Sequence, residues 1–181
     1  MNQWEDRALE LHRKYGSNDH IIRHCRTVAR VSETLVGALK DRGVRVNEES
    51  VIMAALLHDI GRNRTHTIHH GFMGAEIVTA EGIGMITADI IRKHVGAGIS
   101  EEEAKKFGFP DGDYIPRSIE EMVVCFADKM VDGDRVRPFK HEVDRFMTKG
   151  HDVKRLKNLR ESLKAELGED PEELVLSRLT E

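Results

Sequence analysis

Apolar residues recur along this chain at helical spacing almost from its start. Trp4, Ala8, Leu11 and Tyr15 fall at i, i+4, i+7 and i+11, one face of a first helix. Gly16, Ser17, Asn18 and Asp19 then interrupt the pattern with residues that break one helix and cap the next. The second helix carries a stripe of Ile21, His24, Val28, Val31 and Leu35, which puts His24 on a buried face. Asn47 caps a third helix over 48–60, apolar on every side in its later turns and ended by Gly61; a helix of that kind runs through a core. Helical stretches over 71–81 and 86–94 follow, separated by Gly82 and Gly84. Ser100 with Glu103, and Ser118 with Glu121, match the capping box, in which serine and acid satisfy orphan backbone donors at a helix start. The segment 108–116 between them, with its glycines and prolines, is a loop. Past Pro138 the pattern thins to Val143, Phe146 and Met147, breaks at Gly150, and resumes as Val153, Leu156, Leu159, Leu163 and Leu167 on a charged helix. Pro171 opens a last short helix at its first position. With no sustained strand alternation, the fold class is all-α.

Composition narrows the function. A chain of 181 residues can form one domain with a helical tail and bury an enzyme-sized pocket. Charged residues make up 33% of it, yet the formal net charge is only -4 because both signs are interspersed, which argues against a nucleic-acid coat. Two cysteines, Cys25 and Cys125, cannot build a disulfide framework, and each reads as a small buried hydrophobe rather than a thiolate ligand. The longest apolar run, 51–57, is too short to cross a bilayer, and the first residues lack a signal-peptide core. The expectation is a cytoplasmic protein with no membrane association. Lys154, Arg155, Lys157, Arg160 and Lys164, interleaved with Glu161 and Glu166, read as a solvated helix face.

The chemistry concentrates at Leu56-Leu57-His58-Asp59-Ile60-Gly61-Arg62, where an imidazole and a carboxylate sit side by side at the end of an apolar helix. A buried carboxylate needs a cation or a donor network, so such a pair either caps locally or binds something positive. His24 lies on the buried stripe of an earlier helix, and Asp128 follows Val123, Val124, Cys125, Phe126 and Ala127 on another apolar one. The order His, His-Asp, Asp from three helices resembles the HD superfamily of metal-dependent phosphohydrolases, through the HDIG form of its signature at residues 58–61 and over about 20–135. The resemblance implies a helical bundle; the domain expectation is an HD domain over 1–135, with a C-terminal helical extension over 136–181, outside the resemblance, packed on or beside it. It also implies a metal held by His24, His58, Asp59 and Asp128. His70, four residues before Gly74-Ala75, and His94 resemble second-metal positions of the family, although a branch with two metals often has a further histidine where Val95 stands. For these two, a ligand role and a substrate or proton-transfer role both stay open. His66 and His69 match no family position and read as a solvated loop.

Mixed imidazole and carboxylate donors suit Mn or Fe first, with Co, Ni or Zn as further options, in preference to Mg or Ca. Asp59 could orient or deprotonate water, His94 could act in the same pocket, and Arg62, Lys93 and Lys129 are candidate phosphate clamps, with surface salt bridges as the alternative. The implied activity is hydrolysis of a phosphodiester, cyclic phosphate or phosphomonoester of a nucleotide-like small molecule. A two-iron oxygenase and a non-catalytic nucleotide-binding module are the competing classes. The partner implied is a small phosphoester, and a homo-oligomer stays open.

Overall fold

In the computed structural model residues 3–179 are described; Met1 and Asn2, the first two residues of the start read above, lie outside them. The helices among them, in chain order, are α1 (Gln3–Tyr15), α2 (Asp19–Asp41), α3 (Glu48–Leu57), α4 (His70–Ala80), α5 (Met85–Lys93), α6 (Glu101–Phe107), α7 (Ile119–Lys129), α8 (Phe139–Thr148), α9 (Lys154–Leu167) and α10 (Pro171–Leu179). The all-α expectation holds. No helix of the described residues is long and apolar enough to cross a membrane.

Local signals account for most boundaries. Asn18 accepts from the Ile21 amide at 3.0 Å and Asn47 from the Ser50 amide at 3.1 Å, fixing the starts of α2 and α3. Both capping boxes form, with Ser100 and Glu103 starting α6 and Ser118 and Glu121 starting α7. Seven consecutive residues of α3, from Val51 to Leu57, are buried, and the helix packs against α1, α2, α5 and α7. A helix apolar on all sides can satisfy itself only at the centre, and that is where α3 lies.

Two details depart from the pattern. The third helix stops at Leu57, and after His58 and Asp59 the chain winds into a 3-10 turn over Ile60–Asn63. Gly61 is therefore no helix terminator. A Cβ on it would lie 2.0 Å from the His70 carbonyl oxygen and 2.6 Å from the Gly74 amide, so glycine lets this turn press against the start of α4. The second departure is a two-residue hairpin, β1 (Val131–Asp132) paired antiparallel with β2 (Arg135–Val136). It is too short to leave a period in the sequence.

One hydrophobic core draws on α1 through α5, α7, and the leucines of α9 and α10. Residues beyond 136 thus share the core of the residues before them. A smaller cluster of Ile99, Ala104, Phe109 and Tyr114 surrounds α6.

Candidate metal centre

Four histidines and two aspartates converge from the second turn of α2, the end of α3, the start of α4, and the ends of α5 and α7. Each imidazole is oriented from behind by a main-chain carbonyl. His24 Nδ1 donates to Gly133 O at 2.7 Å, His58 Nδ1 to Ala55 O at 2.8 Å, His70 Nδ1 to Thr67 O at 2.7 Å and His94 Nδ1 to Ile91 O at 2.7 Å. Since a carbonyl can only accept, the proton of each neutral ring sits on Nδ1, and every Nε2 turns a lone pair inward. The hairpin thereby has a purpose: its Gly133 carbonyl sets the His24 ring.

The inward atoms form two triangles. In the first, His24 Nε2 and His58 Nε2 are 3.2 Å apart, with Asp128 Oδ1 3.0 Å from His24 and 3.4 Å from His58. In the second, His70 Nε2 and His94 Nε2 are 3.1 Å apart, with Asp59 Oδ1 3.2 Å from His70 and 3.7 Å from His94. His58 Nε2 and Asp59 Oδ1, 3.9 Å apart, join them. Donors about 2.1 Å from a metal stand roughly 3.0 Å from one another at right angles and roughly 3.4 Å at the tetrahedral angle, so both triangles have the edges of a coordination shell. Among the described residues, the trios able to hold a metal ion are His24, His58 and Asp59; His58, His94 and Asp128; and Asp59, His70 and His94, so the two triangles share their neighbours.

A second observation tests the fit. Asp59 Oδ1 is buried and has no hydrogen-bond partner, with the Nε2 atoms of His70 and His94 3.2 and 3.7 Å away. A buried acceptor facing only acceptors is costly, and a cation removes the cost. Electrostatics agree. Burial would raise the Asp59 and Asp128 carboxyls, but His58 beside Asp59, and Lys129 with His24 and His58 beside Asp128, hold both well below the usual carboxylate range. Burial lowers the His94 imidazole to about 4, keeping it a neutral donor. His58, despite the same burial, is held well above its ordinary value by Cys25, Asp59 and Asp128, so the cluster without a metal gathers protons.

The second oxygen of each aspartate is held by a cation. Arg62 Nε donates to Asp59 Oδ2 at 2.5 Å, and Lys129 donates to Asp128 Oδ2 and to His94 O, the latter at 3.3 Å. Arg62 remains about one third exposed, whereas Lys129 is buried. Lys93 pairs with Glu121 at 2.7 Å and does not line the cavity. Cys25 and Cys125 are both buried and free, as the sequence suggested. Cys125 Sγ donates to the carbonyls of His94 and Gly96 at 3.5 and 3.6 Å, and burial pushes its thiol up to about 12.

A cavity of about 860 Å³ opens above the cluster, with His24, Asp59, His70, His94 and Asp128 reaching it while His58 lies behind them, fully buried. Sequence reasoning missed much of the wall. His66 is exposed, as expected of a loop residue, yet it lines the cavity; so do His20 from α2, and Phe146 and Lys149 from the C-terminal region. His69 stacks on Phe109 with ring centres 4.3 Å apart, and its Nε2 donates to the Phe107 carbonyl oxygen at 3.1 Å, a support for that wall. No single-segment pattern marks residues that meet only in the folded chain.

The family model described as HD domain matches residues 21–131. The chain is 38% identical over 172 residues to a tRNA (cytidine(56)-2'-O)-methyltransferase of Thermoplasma volcanium and 37% identical over 173 residues to one of Picrophilus torridus, each alignment covering 94% of this chain. It spans about half, 49%, of the length of those two relatives. An uncharacterized protein of Methanocaldococcus jannaschii is 40% identical over 130 residues, covering 72% of this chain and 76% of that one. The crystal structure of the L. monocytogenes phosphodiesterase PgpH HD domain superposes with a TM-score of 0.51 over 89% of this chain and 97% of that one, at 16% identity, a likeness of fold.

Proposed function

The chain belongs to the HD-domain family, and from that premise we propose that it is a metal-dependent hydrolase of phosphoesters. The observation that carries this reading is the pair of acceptor triangles at the floor of an open cavity. His24, His58 and Asp128 would hold one divalent metal and Asp59, His70 and His94 a second. Three donors for the second site offset the absence of a histidine at Val95. Mn or Fe suits these donors best, with Co, Ni or Zn as alternatives. When bound, the metal supplies positive charge that polarises the phosphoryl group and makes water a competent nucleophile near neutral pH.

The chain's own groups do the rest. Asp59 is turned by Arg62 so that Oδ1 faces the floor, where it would hold metal and orient the attacking water, whose proton passes to solvent. The water oxygen forms the new bond to phosphorus as the ester P–O bond breaks, and the leaving oxygen collects a proton from solvent or a rim histidine. Arg62, part-exposed at the cavity edge, adds a charge-assisted contact to a phosphoryl oxygen. Lys129, buried against Asp128, keeps that carboxylate ionised and aimed.

The methyltransferase name belongs to proteins twice as long, so methyl transfer to tRNA is a property of the whole relative that half of it need not carry. Incubating this chain with S-adenosylmethionine and tRNA tests that reading, and no methylation is expected. A two-iron oxygenase would use the same triangles, and oxygen uptake by the iron-loaded protein separates it from hydrolysis. The hydrolase reading is tested by stripping the protein with EDTA and screening phosphodiesters and phosphomonoesters with Mn or Fe. Metal-restored turnover is expected. Equal turnover before and after stripping, or none with any ester and metal, overturns it.

A further inference from the structure

The cavity has two chemically different ends. Its floor is the cluster of imidazoles and carboxylates. Its outer wall carries three apolar side chains that the core does not fully cover: Ile68 at 38% exposure, Phe107 at 45%, and the half-buried Phe146. Single exposed hydrophobes are ordinary, but three along one cavity form a surface that lacks an occupant.

Phe146 is the best placed. On α8 it continues the inward stripe of Phe139, Glu142 and Val143 at i, i+3, i+4 and i+7. Its ring tip lies 4.0 Å from where a Cβ on Gly96 would be, and the ring meets the His151 ring edge-on with centres 5.6 Å apart. Gly96 is two residues past His94, so the two Cα atoms are at most about 7 Å apart. Beside it, Arg145 is spent on Glu142, with Nε 2.7 Å from the carboxylate, whereas exposed Lys149 lines the cavity with no ion pair among the described residues.

A flat ring with polar edges, joined through a sugar to a phosphate, matches a cavity with apolar side chains and Lys149 on its wall and the His–Asp cluster on its floor. A simple sugar phosphate would leave Phe146, Phe107 and Ile68 facing water, and a purely aliphatic group would leave Lys149, His66 and His151 unused. We propose that Phe146, with Lys149 beside it, forms the base-binding wall of a mononucleotide site whose phosphate end rests on the His–Asp cluster. The C-terminal segment, outside the family match, would then set the specificity of a floor built by the matched residues.

The proposal rests on the phosphohydrolase reading for the placement of the phosphate, but its test reads binding. Adenosine 5'-monophosphate and ribose 5-phosphate share phosphate and sugar and differ by the base, so calorimetry with each on manganese-loaded protein isolates the base contact. The nucleotide should bind about ten-fold to a hundred-fold more tightly, as a stacked base does. Phe146→Leu, which keeps an apolar side chain but removes the ring, should erase most of that gap, and Phe146→Tyr should keep it. Met147→Ala, on the exposed side of α8, is a control that should change nothing. Equal affinity of the two ligands, no binding of either, or a gap that survives Phe146→Leu would overturn the proposal. A base-dependent gap without turnover of any ester would sink the hydrolase reading and leave the nucleotide wall standing. Turnover without the gap would do the reverse.

Discussion

Gly61 shows how a single residue carries the geometry of the centre. The missing Cβ allows the turn after Asp59 to touch the backbone of His70 and Gly74, which brings the Asp59 carboxylate to the His70 imidazole. Gly61→Ala would force backbone against backbone, with no flexible side chain to yield. It should cost about 1–3 kcal/mol or more, as overpacking does, and separate Asp59 from His70. Thermal unfolding and metal content should therefore fall together; a variant with unchanged melting temperature and metal would show that the contact is easily relieved. Arg62 is the companion case. Because it holds Asp59 and stands at the cavity edge, Arg62→Ala should lower kcat/KM by roughly ten-fold to a hundred-fold, the loss of one charge-assisted contact, with metal still bound. Unchanged kinetics would reduce it to an ion pair. At this scale the sequence was readable where chemistry interrupts an apolar stripe: His24, His58, Asp59 and Asp128 are polar residues on faces that otherwise hold Val, Leu and Ala. The division into two triangles was not readable, since it depends on Asp59 Oδ1 lying nearer to His70 than to His58, which no spacing along the chain encodes.

Elements act as arms that carry ligands, and their ends matter most. The starts of α6 and α7 followed directly from their capping boxes, because capping is local chemistry within four residues. The end of α3 did not follow, because it is set by the pressure of α4 against Gly61, a contact across the fold. Ser118→Ala, which removes one half of the box under the helix that carries Asp128, should destabilise the protein by about 1 kcal/mol. Farther along, Arg155 links α9 to α6, bonding Glu103 and donating to Gly98 O at 2.7 Å, so part of the run read as a solvated face is a brace. The Arg155 guanidinium holds the Glu103 carboxyl down to about 2. A carboxylate whose folded value is depressed contributes stability above its unfolded value, roughly 4.3, and loses it as pH falls toward 2. Both groups are more than a third exposed, so the contribution is about 0.5–1 kcal/mol. Denaturant unfolding of the wild type and Arg155→Ala should differ near pH 7 and converge near pH 2. A constant difference across that range would assign the brace to packing alone.

In the whole molecule, a floor built by residues of the HD-domain match and a wall supplied partly by residues beyond it enclose one cavity. The leucines of α9 and α10 tie that wall to the same core as the ligand helices, so wall and floor should hold a fixed separation. The tail was recognisable as helical from its leucine spacing, but its share in the cavity was not, because Phe146 and Gly96 meet only after folding. The account also makes the bound metal a structural partner: six inward acceptors relieved of mutual repulsion should stabilise the folded chain. At a hundred times Kd, a metal that binds only the folded state adds about 2.7 kcal/mol, visible as a rise of melting temperature with Mn and a fall with EDTA. No shift in either direction would mean that the cluster holds its shape through protons alone. The most direct measurement of the central claim is anomalous diffraction at the manganese edge from crystals equilibrated with Mn. The account predicts peaks roughly 2.0–2.3 Å from the Nε2 atoms of His24 and His58 and of His70 and His94, one in each triangle. Crystals that contain manganese but show no peak within reach of any of these atoms would contradict it.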